Sequence, residues 1–417
     1  MAMKVGIVGL GYVGLPLAVA FGEEGHDVVG VDADPRKIDA LSEGRSYIED
    51  VPSERLAALK DKLQATGRYA DLTSCDAVLI CVPTPLTSSR EPDLSYLVDA
   101  ATSLAAVLEA GQLVVLESTT YPGTTRERLL PILEESGLAA GRDFHLAFSP
   151  ERIDPGRTDY TIRTTPKIVG GLTEACTRRA AELYGEICDE IVEVSGPEAA
   201  ELAKLLENIF RSVNIALVNE LAMLCERLDI DVWEVIDAAD SKPFGFMRFE
   251  PGPGMGGHCL PVDPFYLAYK AREHDFYTEF IELAGKINQN QPAFCVRRIE
   301  RALNDAGKAT KDAKVLLLGV SYKAGVGDIR ESPALKIIRL LRELGADVSY
   351  HDPHVPDLAD LGLSSTELAE GLREADLACI VTAHPEGDHK RVVAEAELVL
   401  DFRGVTRGIS AHNVVRL

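Results

Sequence analysis

Positive charge is scarce in this chain. Its 417 residues carry 43 Lys and Arg against 66 Asp and Glu, a net charge of −23. Recognition of a phosphate backbone needs clustered cations, so a nucleic-acid partner is excluded. Acidity of this size bears on solubility more than on chemistry. Long apolar runs are also missing: none reaches the roughly 18 residues of a membrane span. The N-terminus, Met-Ala-Met-Lys-Val-Gly-Ile-Val, enters a strand pattern at once, without a signal-peptide layout. A cytoplasmic protein with no membrane partner is expected. The eight cysteines form no Cys-x-x-Cys pair and no zinc-like spacing. No metal is expected, and most of the thiols read as small buried hydrophobes.

The length calls for two or three domains, and 46% hydrophobic with 26% charged residues is the composition of a globular protein. The first motif is near the N-terminus. A buried-strand run, Lys4 to Val8, is followed by Gly9-Leu-Gly11-Tyr12-Val13-Gly14 and then by a helical stretch. The next strand ends in Asp32, 18 residues after Gly14. A strand, a G-x-G-x-x-G turn, a helix and a closing acid together make a dinucleotide fingerprint. The glycines let backbone and helix N-terminus meet a pyrophosphate. Asp32 suits the adenosine ribose hydroxyls and disfavours a 2′-phosphate, so NAD is expected rather than NADP.

Further strand runs lead into Pro83-Thr84-Pro85, Glu117-Ser-Thr119-Thr120 and Ser149-Pro-Glu151-Arg152. Ligands of parallel doubly wound sheets bind at the carboxyl ends of strands, which makes Thr84, Thr119 and Glu151 candidates. A long helix is expected from Pro197 to about Leu228, with no internal Gly or Pro. Its apolar arc is too wide for a helix exposed along one side, so burial between domains or between subunits is expected. Lys204, Asn208 and Arg211 share one face of it. Lys204 reads equally as a structural ion-pair partner or a catalytic ammonium. A second strand–loop–helix pattern restarts at Asp312 and lacks G-x-G-x-x-G; Lys323, Arg330 and Arg403 stand at its loop ends and suit phosphates.

Between these regions lies Gly252-Pro-Gly-Met-Gly256-Gly257-His-Cys259-Leu-Pro-Val-Asp263-Pro-Phe-Tyr-Leu. Dense glycine permits close approach to a ligand, proline stiffens the same loop, and one thiol sits at its centre. Of the eight cysteines, Cys259 fits the buried-hydrophobe reading worst.

These motifs, in this order and over nearly the whole chain, resemble the UDP-glucose/GDP-mannose dehydrogenase family of nucleotide-sugar 6-dehydrogenases. The carriers are Gly9–Gly14, Cys81-Val-Pro-Thr-Pro85, Glu117-Ser-Thr119, Ser149-Pro-Glu151, Ala203-Lys204-Leu-Leu-Glu-Asn208, Gly256–Asp263, and Tyr322-Lys323 with Asp328-Ile-Arg330-Glu-Ser-Pro333. The Cys259 segment and the preceding Lys242–Gly254 are most similar to the UDP-N-acetylhexosamine branch, in particular the UDP-N-acetylglucosamine enzymes. The UDP-N-acetylmannosamine and UDP-glucose enzymes are the alternatives. Gly325-Val-Gly327 departs from the bulkier, acidic loop of relatives.

The resemblance implies an α/β protein with two Rossmann-like doubly wound domains joined by a long central helix. Its expected divisions are an NAD domain over 1–196, a central helical and dimerisation domain over 197–300, and a UDP-sugar domain over 301–417. It implies four-electron oxidation of a C6 hydroxyl with two NAD in turn, through a thiohemiacetal and a thioester on Cys259. Lys204 and Asn208 then stabilise an oxyanion, Asp263 assists proton transfer, Glu151 serves hydrolysis, and Thr119 bonds a water or the reacting centre. The implied cofactor set is Gly9, Gly11, Tyr12, Val13, Gly14, Asp32, Lys37, Thr84, Thr119 and Arg330. The implied substrate set is Glu151, Arg152, Lys204, Asn208, Arg248, Phe249, Gly256, Gly257, Lys323 and Arg403. The long helix is expected at the core of a homodimer. Two rivals remain: a two-electron hydroxyacid-type dehydrogenase, and a non-catalytic NAD-binding regulator with Cys259 as a redox sensor.

Overall fold

The computed structural model describes residues 2–48, 50–87, 89–153, 159–257 and 262–417. Cys259, the expected nucleophile, lies outside them. The chain divides into two compact units, Met1–Glu207 with Phe265–Tyr277, and Asn208–Pro264 with Thr278–Leu417.

The first unit is built on eight strands: β1 (Lys4–Val8), β2 (Asp27–Val31), β3 (Leu63–Thr66), β4 (Ala77–Ile80), β5 (Leu113–Leu116), β6 (His145–Phe148), β7 (Lys167–Gly171) and β8 (Ile191–Glu193). Their spatial order is β3-β2-β1-β4-β5-β6-β7-β8. The pairings from β3 to β6 are parallel, β7 runs antiparallel to β6, and β8 is parallel to β7. The runs Val5–Val8, Ala77–Ile80 and Leu113–Leu116 are buried throughout, as expected of parallel strands covered on both faces. One face packs Leu97, Leu104, Leu129 and Leu133 against the sheet; the other packs Leu17, Phe21, Leu183 and Tyr184.

The second unit carries β9 (Lys314–Leu318), β10 (Asp347–His351), a small β11 (Asp357–Leu358) and β12 (Leu363–Ser364) hairpin, β13 (Leu377–Ile380), β14 (Val399–Asp401) and β15 (Val414–Arg416). Its sheet is fully parallel in the order β10-β9-β13-β14-β15. Both units are therefore doubly wound α/β folds. The helix Pro333–Glu343 starts by rule: Ser332 caps it by accepting from Ala334 N–H, and proline takes the first turn, where no N–H is needed.

The two units repeat one local device. In the first, Gly9 ends β1 with φ +93, and Asp32 beyond β2 accepts from Leu10 N–H at 2.8 Å and Asp34 N–H at 2.9 Å. In the second, Gly319 follows β9 with φ +81, and Asp352 beyond β10 accepts from Val320 N–H at 2.7 Å and His354 N–H at 2.9 Å. One carboxylate thus closes the first β–loop turn of each sheet. The long helix spans Pro197–Leu228, the expected bounds, and the chain passes along it from one unit to the other. No helix among the described residues is long and apolar enough to cross a membrane.

Candidate active site

The glycine turn after β1 is sterically required. A Cβ on Gly9 would lie 2.7 Å from the Cys81 carbonyl oxygen, and one on Gly14 would lie 1.9 Å from that of Gly9. Gly11, by contrast, has nothing within 4 Å of such a Cβ, so its backbone is open to an approaching ligand. Tyr12 is half exposed and Val13 precedes the helix Gly14–Glu23. Asp32 is buried at the far edge, ion-paired to Lys37 at 2.9 Å, and a carboxylate has acceptor sites left after those contacts. An open backbone at a helix start with a buried acid one strand away fits NAD.

At the next strand ends, Thr84 and Thr119 are brought together: the Thr84 hydroxyl donates to the Thr119 carbonyl at 2.7 Å. The hydroxyl of Tyr266, on the helix Asp263–Arg272, donates to the Thr84 carbonyl. The sequence reading missed Tyr266; its only signal was an aromatic beside the thiol loop.

Glu151 stands past β6. Its Oε1 accepts from Arg152 N–H at 2.7 Å and Ile153 N–H at 2.6 Å. Its Oε2 is 3.8 Å from the Lys167 ammonium. Lys167 in turn pairs with Glu117 at 2.8 Å and donates to the Pro150 carbonyl at 3.0 Å. Tyr184 donates its hydroxyl to Glu117 and lies under Lys167, 5.0 Å from ring centroid to ammonium. Burial alone would lower Lys167, but Glu117 and Glu151 carry it above the ordinary lysine value. Burial raises the Glu117 carboxyl, with Lys167 opposing. Neither Glu117 nor Lys167 was among the expected residues. Arg152 was expected on substrate; here it pairs with Glu207 at 2.6 Å and donates to the Pro166 carbonyl.

On the long helix, Lys204 is buried at 8% exposure, and its ammonium has no hydrogen-bond or ion-pair partner among the described residues. The structural ion-pair reading therefore lacks a partner there. One turn on, Asn208 donates its amide to Asp263 at 2.5 Å. Asp263 is 2% exposed and opens its helix. Three residues before Lys204, Glu201 is fully buried and pins the loop after Thr119. It accepts from Gly123 N–H at 2.6 Å, Thr125 N–H at 2.9 Å and the Thr125 hydroxyl at 2.7 Å.

The second unit holds the other expected residues. Arg248 is surrounded by acids, Asp237 at 2.7 Å, Glu250 at 3.2 Å and Asp240 at 3.6 Å. Phe249 meets Phe210 edge to face at 5.8 Å. Gly256 and Gly257 were expected to bring backbone near a sugar. In the fold their missing side chains make room for Tyr322, 2.7 and 3.0 Å from where each Cβ would stand. Gly257 N–H also donates to the Arg330 carbonyl at 2.9 Å. The exposed Arg330 guanidinium clasps Asp328, Nε to Oδ2 at 2.9 Å. The half-buried Lys323 accepts from the Ser321 hydroxyl through its carbonyl at 2.8 Å. Arg403 lies against Gly252, and burial lowers its guanidinium. Its guanidinium has no hydrogen-bond or ion-pair partner among the described residues.

Behind these loops, His354, His384 and Glu386 bring ligand-type atoms within 4.8 Å of one another. His384 already uses both ring nitrogens, toward Gly325 N–H at 3.1 Å and Asp352 at 3.1 Å. The cluster therefore works as a clamp on the loop after β9. Burial would raise Asp352, but His384 and the backbone donors hold it at about 2.

Residues 3–188 match the NAD-binding domain of the UDP-glucose/GDP-mannose dehydrogenase family, 198–290 its central domain and 316–408 its UDP-binding domain. The chain belongs to that family. This dehydrogenase is 37% identical to the UDP-N-acetyl-D-mannosamine dehydrogenase of Pyrococcus horikoshii, over 97% of this chain and 100% of that one. It is 38% identical to the UDP-N-acetyl-D-glucosamine 6-dehydrogenase of Pseudomonas aeruginosa, over 85% and 83%. Its fold matches the solved UDP-D-ManNAc dehydrogenase of Pyrococcus horikoshii with a TM-score of 0.90 and 35% identity, covering 99% of this chain and 98% of that one. It is thus an NAD-dependent nucleotide-sugar 6-dehydrogenase with a UDP-binding domain.

Proposed function

We propose that the sugar is a UDP-N-acetylhexosamine. The observation that carries this is the similarity, over most of both chains, to enzymes named for UDP-N-acetylmannosamine and UDP-N-acetylglucosamine. The thiol segment leans toward the glucosamine enzymes, and the fuller-length match leans toward the mannosamine ones; the acetamido group is what both readings share. The product is the corresponding uronate, made in the cytoplasm. The functional division is a cofactor part over 1–196, a catalytic and dimerisation part over 197–300, and a sugar part over 301–417.

NAD, when bound, accepts one hydride in each of two oxidations. Cys259 adds to the aldehyde of the first oxidation, and the second leaves a thioester that water cleaves. The Lys204 ammonium, unpaired among the described residues, and the Asn208 amide stabilise the oxyanion of each tetrahedral species. Asp263, hydrogen-bonded to Asn208, relays the proton. Glu151 takes the proton of the attacking water, and Thr119 orients that water. The cofactor rests on Gly9, Gly11, Tyr12, Val13, Gly14, Asp32, Lys37, Thr84 and Arg330. The nucleotide sugar is held by Arg152, Arg248, Phe249, Gly256, Gly257, Lys323 and Arg403, of which Arg403 suits a phosphate because its guanidinium has no hydrogen-bond or ion-pair partner among the described residues.

The enzyme is also proposed to act as a homodimer. In the isolated chain, Leu206, Leu217, Leu224 and Leu228 of the long helix are 63%, 59%, 49% and 56% exposed, an apolar stripe that a second copy would cover.

A panel of UDP-N-acetylglucosamine, UDP-N-acetylmannosamine and UDP-glucose, each assayed with NAD, tests the sugar assignment. Acid formation from at least one N-acetylated sugar, at a kcat/KM well above that for UDP-glucose, is expected. Preference for UDP-glucose would overturn it.

A further inference from the structure

Three buried groups of the first unit have no part in the chemistry described so far: Glu117 at 1% exposure, Lys167 at 5% and Tyr184 at 0%. Buried charges are costly unless they are paired and satisfied, so such a cluster beside a strand-end carboxylate calls for an account. The groups come from three separate elements. Glu117 follows β5, Lys167 opens β7, and Tyr184 ends the helix Glu174–Tyr184.

The contacts run in one direction, toward Glu151. Tyr184 donates to one oxygen of Glu117, and the other oxygen takes Lys167 at 2.8 Å. Lys167 then reaches the Pro150 carbonyl at 3.0 Å and faces Glu151 Oε2 at 3.8 Å. The other oxygen of Glu151 is saturated by two backbone N–H groups of its own turn. Glu151 is thus gripped from one side by its own loop and from the other by a buried cation.

We propose that Lys167, fixed by Glu117 and Tyr184, is a positioning residue for Glu151 in the thioester-hydrolysis step. This rests on the assignment of Glu151 to that step. In it, the oxygen of water bonds to the thioester carbonyl carbon, one water proton passes to Glu151, the C–S bond breaks, and the electron pair leaves with the sulfur of Cys259. Lys167 touches none of these atoms. It aims the carboxylate, whose Oε2 it faces at 3.8 Å.

The test separates oxidation from hydrolysis. Rapid mixing of enzyme, NAD and nucleotide sugar reads the NADH released before steady state, and mass spectrometry of the quenched protein reads the acyl adduct. For Lys167→Met, the expected result is a retained NADH burst, a steady-state rate at least tenfold lower, and an accumulated acyl-enzyme. Lys167→Arg restores turnover to within a few-fold of the parent.

A burst and a steady state that fall together would overturn the proposal, as would an unchanged enzyme. If Lys167→Met does not fold, Tyr184→Phe decides in the same assay: hydrolysis slowed several-fold with an intact burst supports the proposal, and parental kinetics overturn it. Glu151→Gln keeps the two readings apart. If it accumulates no acyl-enzyme, the assignment of Glu151 fails; if it does and Lys167→Met does not, only the positioning role fails.

Discussion

Asp32 and Asp352 do the same work in two different sheets. Each follows the second strand of its unit and accepts the backbone N–H just after a positive-φ glycine, Leu10 in one case and Val320 in the other. Their remaining contacts differ. Asp32 holds Lys37 and faces the turn with the open Gly11 backbone, whereas Asp352 holds His384.

The two aspartates should therefore respond differently to truncation. Each change orphans buried N–H groups, at a cost of about 1–3 kcal/mol. Asp32→Ala is expected to raise the KM for NAD at least tenfold. Asp352→Ala should lower the melting temperature and leave the NAD KM near the parental value. Thermal melts together with NAD titrations of both variants check this. Because Asp352 is held at about 2 in the fold, its contribution is present above the ordinary carboxylate range and is lost as the pH falls through about 2.

Glu201 gives the opposite pH sign. Burial pushes its carboxyl up to about 7, against its hydrogen bonds to Thr125 and Gly123. The folded state then binds the proton more tightly than the unfolded one. The contribution is full below the ordinary value of 4.5 and is lost as the pH rises through about 7. Melting temperatures measured across that range should rise on acidification, and Glu201→Gln should flatten the slope. An identical slope in the variant would remove Glu201 as its source.

The hydrogen bond from Asn208 to Asp263 ties the long helix, one turn after Lys204, to the first residue of the helix Asp263–Arg272. Loss of a positioned proton-transfer group or oxyanion donor typically costs about 10²–10³-fold in rate. Asp263→Asn and Asn208→Ala are each expected to lower kcat by about that factor with UDP affinity retained. In a double-mutant cycle their effects should be far from additive. Additive losses would show that the pair does not act as a unit.

The apolar stripe on Pro197–Leu228 predicts self-association. Light scattering should give a dimer for the parent, and Leu217→Lys with Leu224→Lys should shift it toward monomer at micromolar concentration. A parental chain that stays monomeric would leave those leucines unexplained.

The parts of this molecule that were legible in sequence were local. Lys4–Val8 and Leu113–Leu116 are continuous apolar runs because both faces of a parallel strand are covered. Gly9, Gly14 and Asp32 lie within one β–turn–helix–β unit, so their spacing carried their meaning. Lys167 was not legible: its partners Glu117 and Glu151 lie on other strand ends, and they meet it only because β7 folds back antiparallel on β6. Nor was the packing of Gly256 and Gly257 on Tyr322, some 65 residues later in the chain, visible in a glycine count. Arg152 and Arg248 read as cations open to substrate because the acids nearest to them, Glu207 and Asp237, sit on separate elements.

Counting cofactor against substrate tests the central claim most directly. With a limiting amount of the preferred UDP-N-acetylhexosamine and excess NAD, the account predicts two NADH per sugar consumed and a uronate as the product. One NADH per sugar, with an aldehyde or other two-electron product, would contradict it.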